Sequence, residues 1–592
     1  MAEWSVHDDM YFYATNDYYV VEPNGKKELL IIDRISGEAK VQAKTTQLQN
    51  IIPERRICGV LGSIKLIAGH YLIVATHRLF VGMINGQAIW SLAGYDILPY
   101  ATSLTHLSLS QQDQNEAYLN MLRKVLDTPF LYFSYSYDLT HTLQRLQSMP
   151  PDFLNNSLFA RADQRFVWNG FCLRNFHGLE FSRFCLPLML GFVSINQASI
   201  NNSSFAIIVI SRRSVQRAGT RLFCRGIDEN GHCANYIETE QIVEYDGEKV
   251  SFVQTRGSIP LFWRQTPNLK YKPAPQIIPG KDHFSACIKH FDAQLCQYGR
   301  QVLINLIDHR GAEDVLEKAY SNIITQLNNS SVRYEAFDFH SECRKMRWDR
   351  LNILIDRLAH EQDEFSMFHL RSDGTLISSQ DGVFRTNCID CLDRTNVVQS
   401  MLARRSLTQA LTKLGILNYG QKIDASSAFE MLYKAVWADN ADLISMQYSG
   451  TGALKTDFTR TGKRTKLGLM KDGVNSLTRY YLNNFNDGFR QDAIDLFLGN
   501  YIVQSGEGSV IPSPLVISKG WKYGTFPSVL LFAVAMFFAS SIFPHEYNTE
   551  NLLFLLFWGA MVGVTSIGIF KYWTEFVDWP KLLPPVKVET QR

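Results

Sequence analysis

The sequence predicts an α/β catalytic domain organised around one anion-binding loop, preceded by a β-rich N-terminal subdomain and followed by two transmembrane helices. Three observations predict this. Between Arg385 and Asn396 a strand ending, a short loop and a helix opening follow one another, and Cys388 and Arg394 stand in that loop with five residues between them. From residue 1 to about 180, short β-branched and aromatic runs bounded by glycine recur. Near the C-terminus, Phe526 to Phe543 and Leu552 to Phe570 are apolar runs without a charged residue.

The loop reads Arg385-Thr-Asn-Cys-Ile-Asp-Cys-Leu-Asp-Arg-Thr-Asn396. Five residues between a cysteine and an arginine can curl into a cradle of backbone N–H groups around a phosphate. The thiol then lies under the phosphorus, and the planar arginine fork holds two phosphate oxygens. Val383-Phe384 reads as the end of a buried strand, and Val397, Val398, Met401 and Leu402 recur at helical spacing. The loop therefore opens a helix, where the dipole and free N–H groups favour both an anion and a thiolate. This is the spacing of a cysteine phosphatase loop. Cys388 and Cys391 also form a CxxC, which leaves a thioredoxin-like pair, half of a zinc site or two plain buried thiols as rival readings. Arg394 has no redox role, and no two further zinc ligands stand at suitable spacing.

At 592 residues the chain is too long for one ordinary core, so two or more domains are expected. Apolar content of 46% and charge of 20% fit folded protein. A net charge of +2 gives no global bias toward nucleic acid, so an anion site has to come from local clustering. The 10 scattered cysteines suit a reducing compartment, and the polar, acidic first residues do not read as a signal peptide. Each apolar run is near the roughly 18–20 residues that cross a bilayer, the alternative being a pair of buried core helices. Trp521, Tyr523, Tyr572 and Trp573 flank them as interfacial aromatics. The link from Pro544 to Asn551 has no lysine or arginine, whereas Lys519, Lys522, Lys571, Lys581 and Lys587 lie outside it. The positive-inside rule thus places both termini in the cytosol.

Residues 1–180 form the expected N-terminal part, with helices at Asn115–Leu126 and at Leu139–Gln147, the latter capped by Asp138. It shows no catalytic constellation and reads as a scaffold or interaction domain. Residues 181–500 form the catalytic part, a mixed sheet covered by helices such as Gly311–Leu327 and Met346–Leu358. Two basic stretches stand out. Arg212 to Arg221 holds four arginines, read either as phosphate recognition or as an ion-pair network with Glu238 and Glu240. Gly450 to Lys466 is rich in glycine, threonine and cations; its glycine spacing is wrong for a Walker loop, and it reads as a flexible loop meeting anionic lipid, the alternative being a merely solvated loop. Residues 501–525 read as a linker whose stretch from Asn500 to Phe526 extends at most ~90 Å. The spans are 526–543 and 552–570, and 571–592 is a cytosolic tail.

The same loop, together with Arg217-Ala-Gly-Thr-Arg-Leu-Phe-Cys-Arg-Gly-Ile-Asp228, Ala234 to Gln241, Gln254 to Trp263, Phe337-Asp-Phe-His340 and Asn440 to Gly452, resembles the Sac-domain phosphoinositide phosphatases, specifically their two-span integral membrane type. The resemblance covers nearly the whole chain. It implies hydrolysis of monophosphorylated phosphatidylinositols, chiefly the 4-phosphate and also the 3-phosphate, without a metal or other cofactor. It further implies residence in endoplasmic reticulum and Golgi membranes, with membrane-contact-site or trafficking proteins as partners. The ending Glu589-Thr-Gln-Arg592 departs from a dilysine retrieval signal. Cys388 is then the nucleophile, Arg394 the phosphate ligand and Thr395 a hydroxyl beside the sulfur. Asp390 and Asp393 are the two acids for the leaving oxygen, with Asp390 preferred on resemblance; His340 is a weaker candidate and reads as structural. Asn387, Ile389, Cys391 and Leu392 frame the cradle, and Arg217, Arg221, Lys455 and Lys463 are the expected headgroup contacts. Cys391 is also placed to form a reversible disulfide with Cys388. A lipid-binding protein without catalysis and a protein-tyrosine phosphatase are the other readings, the first opposed by the intact loop, the second by the spans.

Overall fold

A computed structural model describes residues 5–44, 53–344, 347–461, 465–516, 519–543 and 548–584. A small antiparallel sheet comes first, with strands Met10–Ala14, Tyr18–Pro23, Glu28–Asp33, Ala39–Ala43 and Arg55–Ile57. The main sheet then takes strands β1 (Gly59–Leu66), β2 (Gly69–Ile84), β3 (Gln87–Pro99), β4 (Leu131–Phe133), β5 (Met189–Ile200), β6 (Ser203–Arg213), β7 (Ile237–Tyr245), β8 (Glu248–Arg256), β9 (Arg300–Asn305), β10 (Val332–Ala336) and β11 (Gly382–Asn387). Its path is β10-β9-β11-β8-β7-β6-β5-β4-β3-β2-β1. The expected division near residue 180 falls between β4 and β5, which pair with each other through Met189 and Tyr132, so one sheet runs through both parts.

The sheet changes character where the site lies. From β1 to β8 neighbours are antiparallel, but β8, β11, β9 and β10 run parallel to one another. Parallel strands are covered on both faces, and alternation along β9 shows it: Val302 and Ile304 face one core, Leu303 the other. On the first face lie helix Leu351–Phe365 and α2 (Asp393–Lys413); on the second, helices His283–Tyr298 and Asp314–Leu327. Phe384 of β11 packs with Val398 and Leu402 of α2, and burial of each such side chain stabilises by about 1.5–3 kcal/mol. The expected strand–loop–helix is thus pinned by its own apolar residues.

Several local expectations shift. The first helix is longer than its apolar period indicates, α1 spanning Leu109–Leu126 from a Ser108–Gln111 capping box. Thr142, not Asp138, caps the helix Leu143–Ser148, because the Asp138 carboxylate is already taken by Thr140 and His141. Arg212 resolves to the ion-pair reading. It is fully buried on β6, 3.0 Å from Glu238 and 2.7 Å from Glu240. Glu240→Gln leaves Glu238 as the counter-charge of Arg212 and removes one charge-assisted hydrogen bond, so it is expected to cost about 1.5–3 kcal/mol, measured by thermal unfolding in detergent.

Helices α6 (Trp521–Ile542) and α7 (Thr549–Lys571) are 22 and 23 residues long, apolar enough to cross a membrane, and almost uncovered by the rest of the chain. They are not core helices. Among the described residues neither the stretch read as a linker nor the tail after α7 runs free. Val503 is buried in the α1 core, and the Glu507 carboxylate accepts hydrogen bonds from Tyr118, Tyr501 and Ser513. After α7 the chain folds back: the Asp492 carboxylate of α5 (Asp487–Phe497) accepts from the backbone N–H of Lys581 and Leu582 at 2.9 Å. Leu582 joins the same core. A buried carboxylate with this many donors cannot be released to solvent cheaply, so both segments are docked. The link at 544–547 and the ending at 585–592 lie outside the described residues.

Candidate active site

The loop after β11 sits at the carboxyl end of a parallel strand between two parallel partners, where α/β sheets open a crevice. Asn387 ends the strand and donates to Asn305 Oδ1 of β9 at 2.6 Å. Cys388 is buried; Thr395, two residues into α2, has its hydroxyl 3.6 Å from Cys388 Sγ. Leu392 precedes α2 and packs on Ile237, Ile444 and Tyr448. Cys391 holds a left-handed backbone at φ 53°, a conformation that costs a non-glycine residue about 1 kcal/mol or more and clusters at functional loops. Its thiol donates to Gly257 O at 3.0 Å and Cys388 O at 3.3 Å, and burial pushes it up to about 12. That protonated, engaged thiol is poorly suited to the reversible disulfide expected for it.

Two acids in the loop have opposite surroundings. Burial alone would raise Asp390, but Arg221 and Arg225 outweigh it and hold its carboxyl well below the usual range. Both of its oxygens are engaged: Arg221 Nη2 at 2.9 Å and Arg225 Nη2 at 2.6 Å. Burial raises Asp393, and Arg479 only partly offsets it, from 3.8 Å. Asp393 accepts from the Leu454 N–H at 2.8 Å and lines the open cleft. The preference for Asp390 as proton donor therefore does not fit: an acid locked as carboxylate by two arginines has no proton to give.

Cys388, Ile389, Asp390, Asp393 and Arg394 line one cleft of about 330 Å³. Arg221, Lys272, Lys455, Arg479 and His340 line it too. Arg394 is held in the wall by Leu306 O at 3.0 Å and by Asp308 and Glu313 at 3.3 Å. Burial opposes its charge, but Cys388, Glu313 and Asp308 keep it firmly protonated. His340 is more than decoration: its Nδ1 lies 2.6 Å from Asp308 Oδ1, the carboxylate that also meets Arg394. Of the other expected headgroup contacts, Arg221 and Lys455 reach the cleft. Arg217 does not; it is pinned on Arg225 O at 2.6 Å, and its role is to shape the turn that carries Arg225. Lys463 lies outside the described residues.

Arg225, Arg256, Asp308, Glu313 and Arg479 were not singled out from the sequence. Arg225 stands inside the Arg217–Asp228 stretch, so a signal existed. Arg256 ends β8 and is fully buried; among the described residues no acid pairs with it, and its Nε and Nη1 have no hydrogen-bond partner. Burial pulls its guanidinium down to about 10, opposed by the Cys391 and Cys388 thiols, the ionisable groups its charge acts on. Among the described residues no three His, Cys, Asp or Glu side chains converge as a metal-binding group.

A thiol under a helix N-terminus, an arginine six positions on and a cationic cleft at the carboxyl end of a parallel sheet define the class: an α/β protein with a cysteine-based, phosphate-binding loop. Residues 58–344 match the SacI homology domain. Over 590 residues the chain is 60% identical to the phosphatidylinositol-3-phosphatase SAC1 of Drosophila melanogaster, covering 99% of this chain and 98% of that protein. It is 47% identical over 592 residues to the phosphatidylinositol-3-phosphatase SAC1-B of Danio rerio, covering 99% of this chain and all of the relative. The SAC1 phosphatidylinositol-3-phosphatase of Saccharomyces cerevisiae is 38% identical over 547 residues, covering 89% and 86%. The chain belongs to the Sac family of phosphoinositide phosphatases.

Proposed function

We propose that this chain hydrolyses phosphatidylinositol 4-phosphate, and also the 3-phosphate, through a cysteinyl-phosphate intermediate on Cys388. The observation that carries the reading is the placement of Cys388 and Arg394 in one cationic cleft beneath the start of α2. The Cys388 thiolate attacks phosphorus, forming S–P while the bond from phosphorus to the inositol oxygen breaks. Loop N–H groups and Arg394 hold the equatorial oxygens. Asp393 gives its proton to the departing oxygen. Water then attacks the phosphoenzyme, Asp393 takes its proton, and the sulfur leaves beside the Thr395 hydroxyl. Asp390 is a structural carboxylate that fixes Arg221 and Arg225 under the loop. No metal or other cofactor enters these steps.

Arg256 supplies a fixed positive charge behind the loop, favouring the thiolate through the protein rather than through solvent. Arg256→Gln is expected to slow alkylation of Cys388 by iodoacetamide at neutral pH about tenfold, while Arg256→Lys retains most of the rate. Equal rates for the glutamine variant and the parent protein would remove Arg256 from the mechanism.

The lipid substrate is supported by the two apolar helices, by Arg221, Lys272, Lys455 and Arg479 around the cleft, and by the activity for which the relatives are named. The link without lysine or arginine and its basic flanks support spans with both termini cytosolic, and the family supports endoplasmic reticulum and Golgi membranes. The N-terminal part contributes none of the residues lining the cleft, which leaves its surface for trafficking or membrane-contact-site proteins. Phosphate release from a phosphoinositide panel in liposomes tests the reading. Release is expected to be fastest from the 4-phosphate, then the 3-phosphate, with phosphotyrosine peptides neither cleaved nor competing; absence of release from every monophosphorylated phosphoinositide overturns it.

A further inference from the structure

Helix α4 (Lys466–Phe485) is built inside out for a soluble protein. Leu467, Met470, Val474, Leu477, Tyr481 and Phe485 are 40–77% exposed. At 100° per residue they fall within an arc of about 80°, a continuous apolar stripe on the outside. The opposite face is polar and engaged. Arg479 is buried and donates to Thr451 Oγ1, Ser445 Oγ and Gly452 O at 2.7–2.8 Å, and Asp472 accepts from the Lys455 N–H at 3.1 Å. Ser476, Arg479, Tyr480 and Asn483 of that inner face line the catalytic cleft. Lys466 and Lys471 are exposed near the start of the stripe.

The end of α4 meets the ends of the spans. Tyr480 donates to Leu269 O at 2.8 Å, and Asn484 accepts from the Leu269 N–H at 3.2 Å and, through its carbonyl, from Asp578 N–H at 2.8 Å. Leu269 in turn packs in one apolar cluster with Phe576, Val577, Phe526 of α6 and Ile569 of α7. At that level Lys519 lies 3.6 Å over the Tyr523 ring and Lys522 4.0 Å over Tyr572, the aromatic and cationic belt of a membrane surface. The C-terminal end of α4 is thus fastened, through Tyr480 and Asn484, beside the interfacial ends of the spans.

We infer that α4 is an interfacial helix whose apolar stripe sits in the headgroup layer of the bilayer that α6 and α7 cross, so that the cleft on its inner face takes phosphoinositide from that same membrane. The docking rests on α4 and its contacts; the choice of substrate rests on the function proposed above. An apolar arc flanked by lysines is the composition that lies in an anionic interface.

The full chain is reconstituted into vesicles of phosphatidylcholine and phosphatidylinositol 4-phosphate, with a benzophenone amino acid at position 474 or 477, or at the exposed control position 229. Phospholipid adducts are expected at 474 and 477 and not at 229; protein adducts, or none, at 474 and 477 overturn the docking. In parallel, the double variant Met470→Glu with Leu477→Glu is expected to hydrolyse lipid in its own vesicle about tenfold more slowly. Its turnover of water-soluble short-chain phosphatidylinositol 4-phosphate stays unchanged, which shows that the fold is intact. Equal loss on both substrates, or loss on neither, overturns the inference. If the parent protein releases phosphate from neither substrate, the proposed function fails while the adducts still read the docking.

Discussion

Cys388→Ser is expected to lower phosphate release at least about 10⁴-fold while the chain stays folded. Serine differs from cysteine here by one atom in a buried position, so Phe384, Val398 and Leu402 keep their packing around it. The Thr395 hydroxyl keeps a hydrogen-bonding partner. What is lost is the proposed nucleophile: a serine hydroxyl is a far weaker nucleophile than a cysteine thiol at neutral pH. The chain carries no general base in contact with residue 388 that would activate a hydroxyl among the bonds of the described residues. Binding of inorganic phosphate by the variant, followed by calorimetry, is expected to persist because the cradle and Arg394 remain. Residual turnover of more than a few per cent would show that another group attacks phosphorus.

The second large effect separates the two loop acids. Asp393→Asn is expected to reduce kcat on a phosphoinositide about 10²–10⁴-fold, the usual worth of a positioned proton donor. On an aryl phosphate, whose leaving group needs no proton, the same variant is expected to lose far less. Asp390→Asn behaves differently. It leaves Arg221 and Arg225 without their carboxylate, distorts the loop they hold, and lowers turnover of both substrates alike. The pH dependence has a defined sign. In the proposed mechanism Asp393 acts protonated in the first step; burial raises its carboxyl, so kcat is expected to fall as pH rises through a value above the ordinary carboxylate range. A leaving-group effect in Asp390→Asn and none in Asp393→Asn would reverse the assignment.

The core of the site was legible because it is local. Cys388, Arg394 and Thr395 lie within eight residues, and the apolar spacing after them marks the helix that orients them. The spans were legible for the same reason. What could not be read is what tertiary structure gathers from afar. Glu313 and Asp308 reach Arg394 from a loop some eighty residues upstream, and Arg256 arrives on a neighbouring strand. Charge counting also fails on a segment that crosses an environment. In the run from Arg212 to Arg221, Arg212 is on a buried strand against two glutamates, Arg217 braces a turn and Arg221 faces the cleft. Composition is identical for all three; the path of β6 separates them. Within the Gly450 to Lys466 stretch, of which 462–464 lie outside the described residues, the first part also departs from the loop reading. Gly450 ends α3 (Ser427–Ser449) in the left-handed conformation, and the residues after it form a cleft wall through Leu454 and Lys455 rather than a loose loop.

The glycine- and serine-rich stretch after residue 500 reads as a tether, yet Glu507 and Asp492 fasten the chain on both sides of the spans. With α6 and α7 in a bilayer, such a mount leaves the cleft little distance to search along the membrane normal. Encounter then becomes a two-dimensional problem. The rate follows the mole fraction of phosphoinositide in the surface and the lateral diffusion of lipid past a fixed opening. Diluting the substrate among other lipids slows the reaction; adding more vesicles of the same composition does not hasten it.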